Sequence, residues 1–246
     1  MPKVHLAPLS SIAAGLFGLF AVDRVSPLSA AGWAAGVLYL VVSNGLLARG
    51  LQRSGMENFG WGNAATATRS TLVGLVTALV TTSLSALVSV PLLIALTTIA
   101  LALDAVDGWL ARRTDSVSAL GARFDMEVDA FLLLVLSAYV ATMLGWWVLT
   151  IGALRYVFVI AGWAMPCMRR TLPPRYWRKV VTAVAGASLT VVATGLAPMW
   201  ASTGLTVLAL ALLLESFGRD VLWLIGRRGD LPVRARTDPE RTEVTS

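Results

Sequence analysis

The chain has 246 residues, of which 57% are hydrophobic and 14% are charged, and its mean hydropathy is +0.73. This composition excludes an ordinary soluble domain and is typical of a protein that crosses the membrane several times. The net charge of +6 does not indicate nucleic-acid binding, because the basic residues lie in short clusters between apolar runs. A single cysteine excludes an intramolecular disulfide and a cysteine metal site.

Apolar runs predict eight membrane-spanning helices, so we expect an all-α bundle. In chain order the predicted spans cover residues 6–22, 28–48, 64–87, 90–111, 119–143, 145–166, 178–197 and 202–226. No small-residue cleavage site closes the first run, so we expect it to be an uncleaved span. Pro27, Pro91 and Pro198 lie near the breaks between neighbouring spans, where proline interrupts a helix.

The positive charges predict the orientation of the bundle. Nearly all lysines and arginines fall in every second connection, and only Arg24 lies in an opposite loop. Because cytoplasmic loops carry an excess of basic residues, we expect both termini in the cytoplasm. The expected location is the plasma membrane of a bacterium. The mixed polar and aromatic stretch 49–62 predicts an interfacial segment, and residues 227–246 predict a polar, largely disordered cytoplasmic tail.

Acidic residues interrupt the predicted spans. An aspartate at a helix centre costs about 2.5 to 3.5 kcal/mol on insertion scales, so such residues need pairing, water or bound cations. The acidic residues within or at the ends of predicted spans are Asp104, Asp107, Asp125, Glu127, Asp129, Glu215 and Asp220. Those of residues 104–129 flank one short connection, which predicts a local polar site.

Helical spacing sharpens that prediction. Asp104 and Asp107 share one face of the fourth helix with Gly108, Ala111 and Arg112. On the fifth helix one face carries Gly121, Asp125 and Asp129. A short turn joins the two helices, so we expect the two stripes to face each other as a four-carboxylate cluster. Hard oxygen ligands suit Mg²⁺, Mn²⁺ or Ca²⁺, and two such ions would hold and polarise a diphosphate.

The same residues carry a longer motif. Residues 104–129 read DAVDGWLARRTDSVSALGARFDMEVD, which matches DxxDGxxAR, eight residues and then GxxxDxxxD at every fixed position. This resembles the signature of the CDP-alcohol phosphotransferase family. Asn63, Thr66 and Arg69, in GNAATATR, are similar to the NxxTxxR pattern that often opens the first core helix of that family.

The resemblance implies an enzyme that transfers a phosphatidyl or related phospho-alcohol group from a CDP-linked donor, expected to be CDP-diacylglycerol, to an alcohol, with release of CMP. It implies two Mg²⁺ or Mn²⁺ ions held by Asp104, Asp107, Asp125 and Asp129, with Asp129 also acting as the general base. The residues implied to bind the nucleotide or donor are Asn63, Thr66, Arg69, Gly108, Ala111, Arg112 and Gly121.

The resemblance also divides the chain. It implies a six-helix core over residues 63–226, preceded by a two-span extension with the interfacial segment at 1–62 and followed by the tail at 227–246. Three roles are open for the extension: it could shield the cavity, mediate oligomerisation or bind lipid. Oligomerisation would give a homodimer. The expected partners are the lipid donor, an alcohol acceptor and membrane lipids, with no nucleic acid.

Several assignments have two readings. Arg155 lies inside the sixth span and either contacts the acceptor or pairs with an acidic residue. Arg169 and Arg175 are further candidate acceptor contacts, since basic residues favour a phosphorylated acceptor. Glu127 falls on the opposite face from Asp129 and is predicted to pair with Arg123 or with another helix. A cation transporter and an inactive membrane scaffold are the alternative functions.

Overall fold

A computed structural model describes residues 3–54, 61–114, 119–164 and 176–226. These residues form eight α-helices and one 3₁₀ turn, Trp146–Val148, and contain no β-strand, which confirms the all-α prediction. The helices are α1 (Lys3–Val25), α2 (Ala30–Ser54), α3 (Trp61–Ser83), α4 (Val90–Thr114), α5 (Ala119–Leu144), α6 (Leu149–Ala164), α7 (Tyr176–Ala193) and α8 (Met199–Gly226).

Three stretches of the described residues are long and apolar enough to cross a membrane. They are Ala30–Gln52 in α2, Arg123–Leu144 in α5 and Trp146–Trp163, which covers the 3₁₀ turn and most of α6. Helix α4 adds a shorter apolar stretch, Val90–Ala105. Helices occupy all eight predicted positions.

Side-chain caps define the break between α1 and α2. The Asp23 carboxylate accepts hydrogen bonds from the backbone N–H of Leu28 at 2.8 Å and from the indole N–H of Trp33 at 3.3 Å. Ser29 Oγ accepts a hydrogen bond from the Gly32 backbone N–H at 3.0 Å and caps the start of α2. The bond from Gly32 thus satisfies one of the backbone donors that the first turn of a helix leaves free.

Helix α2 is longer than the sequence predicts. It continues through Ser54, so residues 49–54 of the predicted interfacial segment extend α2, and α3 already begins at Trp61. Residues 55–60 lie outside the described part of the chain. Close approach to α3 depends on glycine: a Cβ at Gly36 would lie 3.1 Å from the Ala78 Cβ. Small residues let membrane helices pack closely.

Helices α3 and α5 form the centre of the bundle. Helix α3 packs against α1, α2, α4 and α5, whereas α5 packs against α2, α3, α6 and α7. Their buried faces repeat every three or four residues, as expected for a helix stripe that faces a core. The buried residues of these stripes include Val73, Val76 and Val80 on α3 and Leu132, Leu136 and Val140 on α5. The stripes of α3 and α5 position the site described below.

Candidate metal and phosphotransfer site

The core stripes of α3 and α5 become polar toward the end of the bundle where α4 is followed by α5. On α3, Arg69 lies one turn before the buried Val73 and is itself fully buried. On α5, Asp125 and Asp129 lie one turn apart and precede the apolar stripe that includes Leu136. Because residues four apart share a helix face, the same geometry that builds the core directs these charged side chains inward.

The Arg69 guanidinium binds three carboxylates from two helices. Its Nη1 donates to Asp104 Oδ1 on α4. Its Nη2 donates to Asp125 Oδ1 at 2.5 Å and to the Asp125 backbone carbonyl at 3.1 Å, and lies 3.2 Å from Asp129 Oδ1. An arginine with no exposed side-chain surface requires such partners, because an unpaired buried cation is strongly disfavoured.

Three predicted metal ligands converge. Asp104, Asp125 and Asp129 each offer one carboxylate oxygen, and these oxygens lie within 4.8 Å of one another. Their side chains keep 35%, 21% and 25% of their surface exposed, so the cluster is partly accessible. The predicted convergence of these three aspartates is confirmed, whereas their role as metal ligands stays a prediction.

The donor set fits a divalent cation. All three groups are hard carboxylate oxygens, the ligand type that Mg²⁺ and Mn²⁺ prefer. Three carboxylates around one guanidinium leave a surplus of negative charge if all three are ionised. A bound cation would offset that surplus at low electrostatic cost, because the residues are already assembled.

Other predicted site residues are only partly described. Thr66 is buried on α3, and Gly121 lies one turn before Asp125 on α5. Several more fall on α3 or α4, but their side chains lie outside those described: Asn63, Asp107, Gly108, Ala111 and Arg112. The candidate acceptor residues Arg169 and Arg175 lie outside the described residues altogether.

The opposite face of α5 carries a separate ion pair. Arg155 Nη2 of α6 donates to Glu127 Oε1, so the partner of Glu127 is on another helix, one of the two predicted alternatives. The Glu127 side chain is 53% exposed and that of Arg155 is 24% exposed. Arg155 is thus paired in this structure, and acceptor binding by Arg155 stays a prediction.

The two remaining acidic residues of the predicted spans are each paired with an arginine. Asp220 of α8 lies 3.4 Å from Arg178 of α7, and Glu215 pairs with Arg219 one turn along α8, as expected from their spacing. The Trp177 indole N–H also donates to Glu215 at 3.1 Å. These contacts lie where α7 packs against α8, and each involves a single carboxylate.

Sequence reasoning placed Arg69 with the donor-binding residues, whereas the structure places its guanidinium among the aspartates. The sequence contains a signal for this position, since Arg69 continues the apolar stripe of α3 that includes Val73 and Val76. An arginine on the buried face of a membrane helix needs an acidic partner. The sequence does not show which aspartates supply it.

Comparison with known proteins agrees with the motif. The family model of CDP-alcohol phosphatidyltransferase matches residues 59–215, which include Arg69 and the three converging aspartates. No curated protein and no solved structure matches the chain. The matched range covers more than half of the chain and, with its apolar helices, is typical of an integral membrane transferase of phospho-alcohol groups. The chain therefore belongs to the CDP-alcohol phosphatidyltransferase family.

Proposed function

We propose that this protein transfers a phosphatidyl group from CDP-diacylglycerol to an alcohol, with release of CMP, in a reaction that requires Mg²⁺ or Mn²⁺. The observation that carries the proposal is the convergence of Asp104, Asp125 and Asp129 around Arg69 within the family-matched residues. A lipid-linked donor suits a site built between apolar helices, because its acyl chains can remain in the bilayer.

The metal would be held by the aspartates of the motif. Asp104, Asp125 and Asp129 supply converging oxygens, and Asp107 follows Asp104 at the spacing that places both on one helix face. Bound ions supply charge neutralisation and polarisation of the donor diphosphate. Two ions match the four carboxylates of the motif. Arg69 holds the carboxylates together from the buried side, so their open side faces the donor.

The proposed chemistry is a single displacement at phosphorus. The hydroxyl oxygen of the acceptor forms a bond to the phosphorus that carries the diacylglycerol, and the bond from that phosphorus to the bridging oxygen of CMP breaks. Asp129 accepts the hydroxyl proton, and CMP leaves with the bridging oxygen and its electron pair. Orientation and charge stabilisation account for the rate, since no redox step is needed.

The remaining roles follow the family pattern. Asn63, Thr66, Gly108, Ala111, Arg112 and Gly121 are proposed to contact the nucleotide or the diphosphate. The basic residues Arg155, Arg169 and Arg175 are proposed to attract an anionic acceptor. We also propose that the site faces the cytoplasm from the plasma membrane of a bacterium; the excess of Lys and Arg in alternate connections supports the cytoplasmic orientation.

Purified protein in detergent tests the proposal. We expect CMP release from CDP-diacylglycerol with one of a panel of alcohols that includes glycerol 3-phosphate, inositol phosphate and serine. The mass of the lipid product identifies the acceptor. Exhaustive chelation should abolish turnover, and Mg²⁺ or Mn²⁺ should restore it.

The variant Asp125→Asn is expected to be inactive. Its matched control is Glu215→Gln, which should keep wild-type turnover because Glu215 lies on α8 outside the cluster. Absence of CMP release with every acceptor in the presence of Mg²⁺ would contradict the proposal and favour a transporter or an inactive scaffold. Full turnover after chelation would contradict the metal requirement alone.

A further inference from the structure

Helix α2 precedes the family-matched residues 59–215, yet it packs against both helices that hold the centre of the candidate site. Those helices are α3, which carries Arg69, and α5, which carries Asp125 and Asp129. Because these side chains meet across the α3–α5 interface, any element that fixes the spacing of the two helices also fixes the carboxylate cluster. Two groups of α2 residues make that contact.

The first contact is made by Tyr39 alone. Its hydroxyl lies 3.3 Å from Ser70 Oγ, and Ser70 is the neighbour of Arg69 on α3. Its ring stacks on Phe131 of α5, with centroids 4.6 Å apart and an interplanar angle of 24°. Phe131 lies two residues after Asp129. One α2 side chain thus contacts α3 beside the arginine and α5 beside an aspartate.

The second contact is made by two leucines further along α2. Leu47 and Leu51 are buried in a small cluster with Ala67 of α3 and Phe124 of α5. Ala67 lies two residues before Arg69, and Phe124 immediately precedes Asp125. Like Tyr39, this cluster connects α3 and α5 at the level of the charged residues. The two contacts lie about two helical turns apart on α2.

The carboxylates need such support because they repel one another. Arg69 offsets part of that repulsion, but a single guanidinium does not fix the relative rotation of three helices. Tyr39 is well suited to that task, since an aromatic pair prefers a defined geometry and the hydroxyl adds a directional contact. Gly74 makes room for the ring, because a Cβ there would lie 3.2 Å from Tyr39 Cδ1.

We propose that α2 positions the carboxylate cluster, and that Tyr39 is its main positioning residue. This inference rests on the proposed function, because the cluster is taken to bind divalent metal. Tyr39 acts through Ser70, Phe131 and the helices that carry them, and it need not touch the donor or the acceptor. The N-terminal extension is accordingly a working part of the site and not only a membrane anchor.

The test measures metal affinity directly, by electron paramagnetic resonance of Mn²⁺ added to full-length protein in detergent. Tyr39→Leu removes the ring and the hydroxyl and should weaken Mn²⁺ binding about tenfold, as expected when an outer support of a metal site is lost. Tyr39→Phe keeps the ring and should weaken Mn²⁺ binding only about two- to threefold, because it removes one hydrogen bond. The control is Leu38→Ala, whose side chain is 65% exposed on the same helix and which should bind Mn²⁺ like the wild type.

All variants are compared well below their unfolding temperatures, and kcat and KM are measured alongside. We expect kcat to fall with metal affinity while the KM for the acceptor changes little. Folded Tyr39→Leu protein with wild-type Mn²⁺ affinity would overturn the inference and leave the proposed function intact. Wild-type protein that binds no Mn²⁺ would contradict both.

Should Tyr39→Leu fail to fold, the hydroxyl contact can be tested from both sides. Tyr39→Phe and Ser70→Ala each remove one partner of the same contact and keep the aromatic stack. Each should weaken Mn²⁺ binding by about two- to threefold, in line with one modest hydrogen bond. Wild-type affinity in both variants would overturn the positioning role.

Discussion

The two faces of α5 differ in the number of carboxylates that share one arginine. On one face Asp125 and Asp129 share the buried Arg69 with Asp104, so three carboxylates surround one guanidinium. On the other face Glu127 has Arg155 as its partner, one carboxylate to one guanidinium. The second pair is neutral without any ligand, whereas the first can accept further positive charge. Charge balance therefore distinguishes a candidate ligand site from a structural pair two residues away.

The largest expected difference between the faces is in turnover. Asp129→Asn should lower kcat by about 10²–10⁴-fold, the contribution typical of a general base. The same variant should bind the donor better than Asp107→Asn does. Glu127→Gln should keep most of its turnover, because its ion pair lies away from the cluster. The measurements are CMP release and binding of CDP-diacylglycerol by purified, folded protein. Inactive Glu127→Gln beside fully active Asp129→Asn would reverse the assignment of the two faces.

The two arginines should differ in their contribution to stability. Arg69→Gln leaves three carboxylates without their buried cation, so we expect a loss of about 3–5 kcal/mol in the free energy of unfolding without divalent metal. Arg155→Gln should cost about 0–1 kcal/mol, because its pair is partly exposed. Mg²⁺ should recover part of the loss in Arg69→Gln only. Unfolding followed by tryptophan fluorescence, with and without Mg²⁺, measures these values.

Equal losses in the two arginine variants would show that the cluster does not depend on Arg69. A larger loss in Arg155→Gln would make the exposed pair the more important one, contrary to its greater exposure.

The metal itself should also stabilise the folded protein, by less than the loss expected for Arg69→Gln. A ligand that binds only the folded protein stabilises it by about 2.7 kcal/mol at a hundredfold excess over Kd. Wild-type protein and Glu127→Gln should both gain this stability with Mg²⁺, and Asp125→Asn should gain much less. The shift in unfolding temperature at matched Mg²⁺ concentrations tests the comparison. An equal gain in Asp125→Asn would place the metal elsewhere.

Much of the site could be predicted from helical spacing. Asp125 and Asp129 share a face because they are four residues apart, and Glu127 points away because each residue turns the helix by about 100°. The Asp104 carboxylate of α4 meets that face at Arg69 of α3, which binds both Asp104 and Asp125. The shared face of Asp125 and Asp129 is a local relation within one helix, so the sequence of α5 alone contains the information needed for it.

The sequence by itself determined the helical character of the chain, the order of its helices and the face on which the aspartates lie, because these depend on composition and on periodicity within one helix. Only the tertiary structure decided that Arg69 lies among the aspartates, that Arg155 pairs with Glu127 and that Tyr39 contacts both α3 and α5. Each of these contacts joins residues 28 to 92 positions apart. Packing between whole helices determines such pairs, and no local pattern specifies which faces meet.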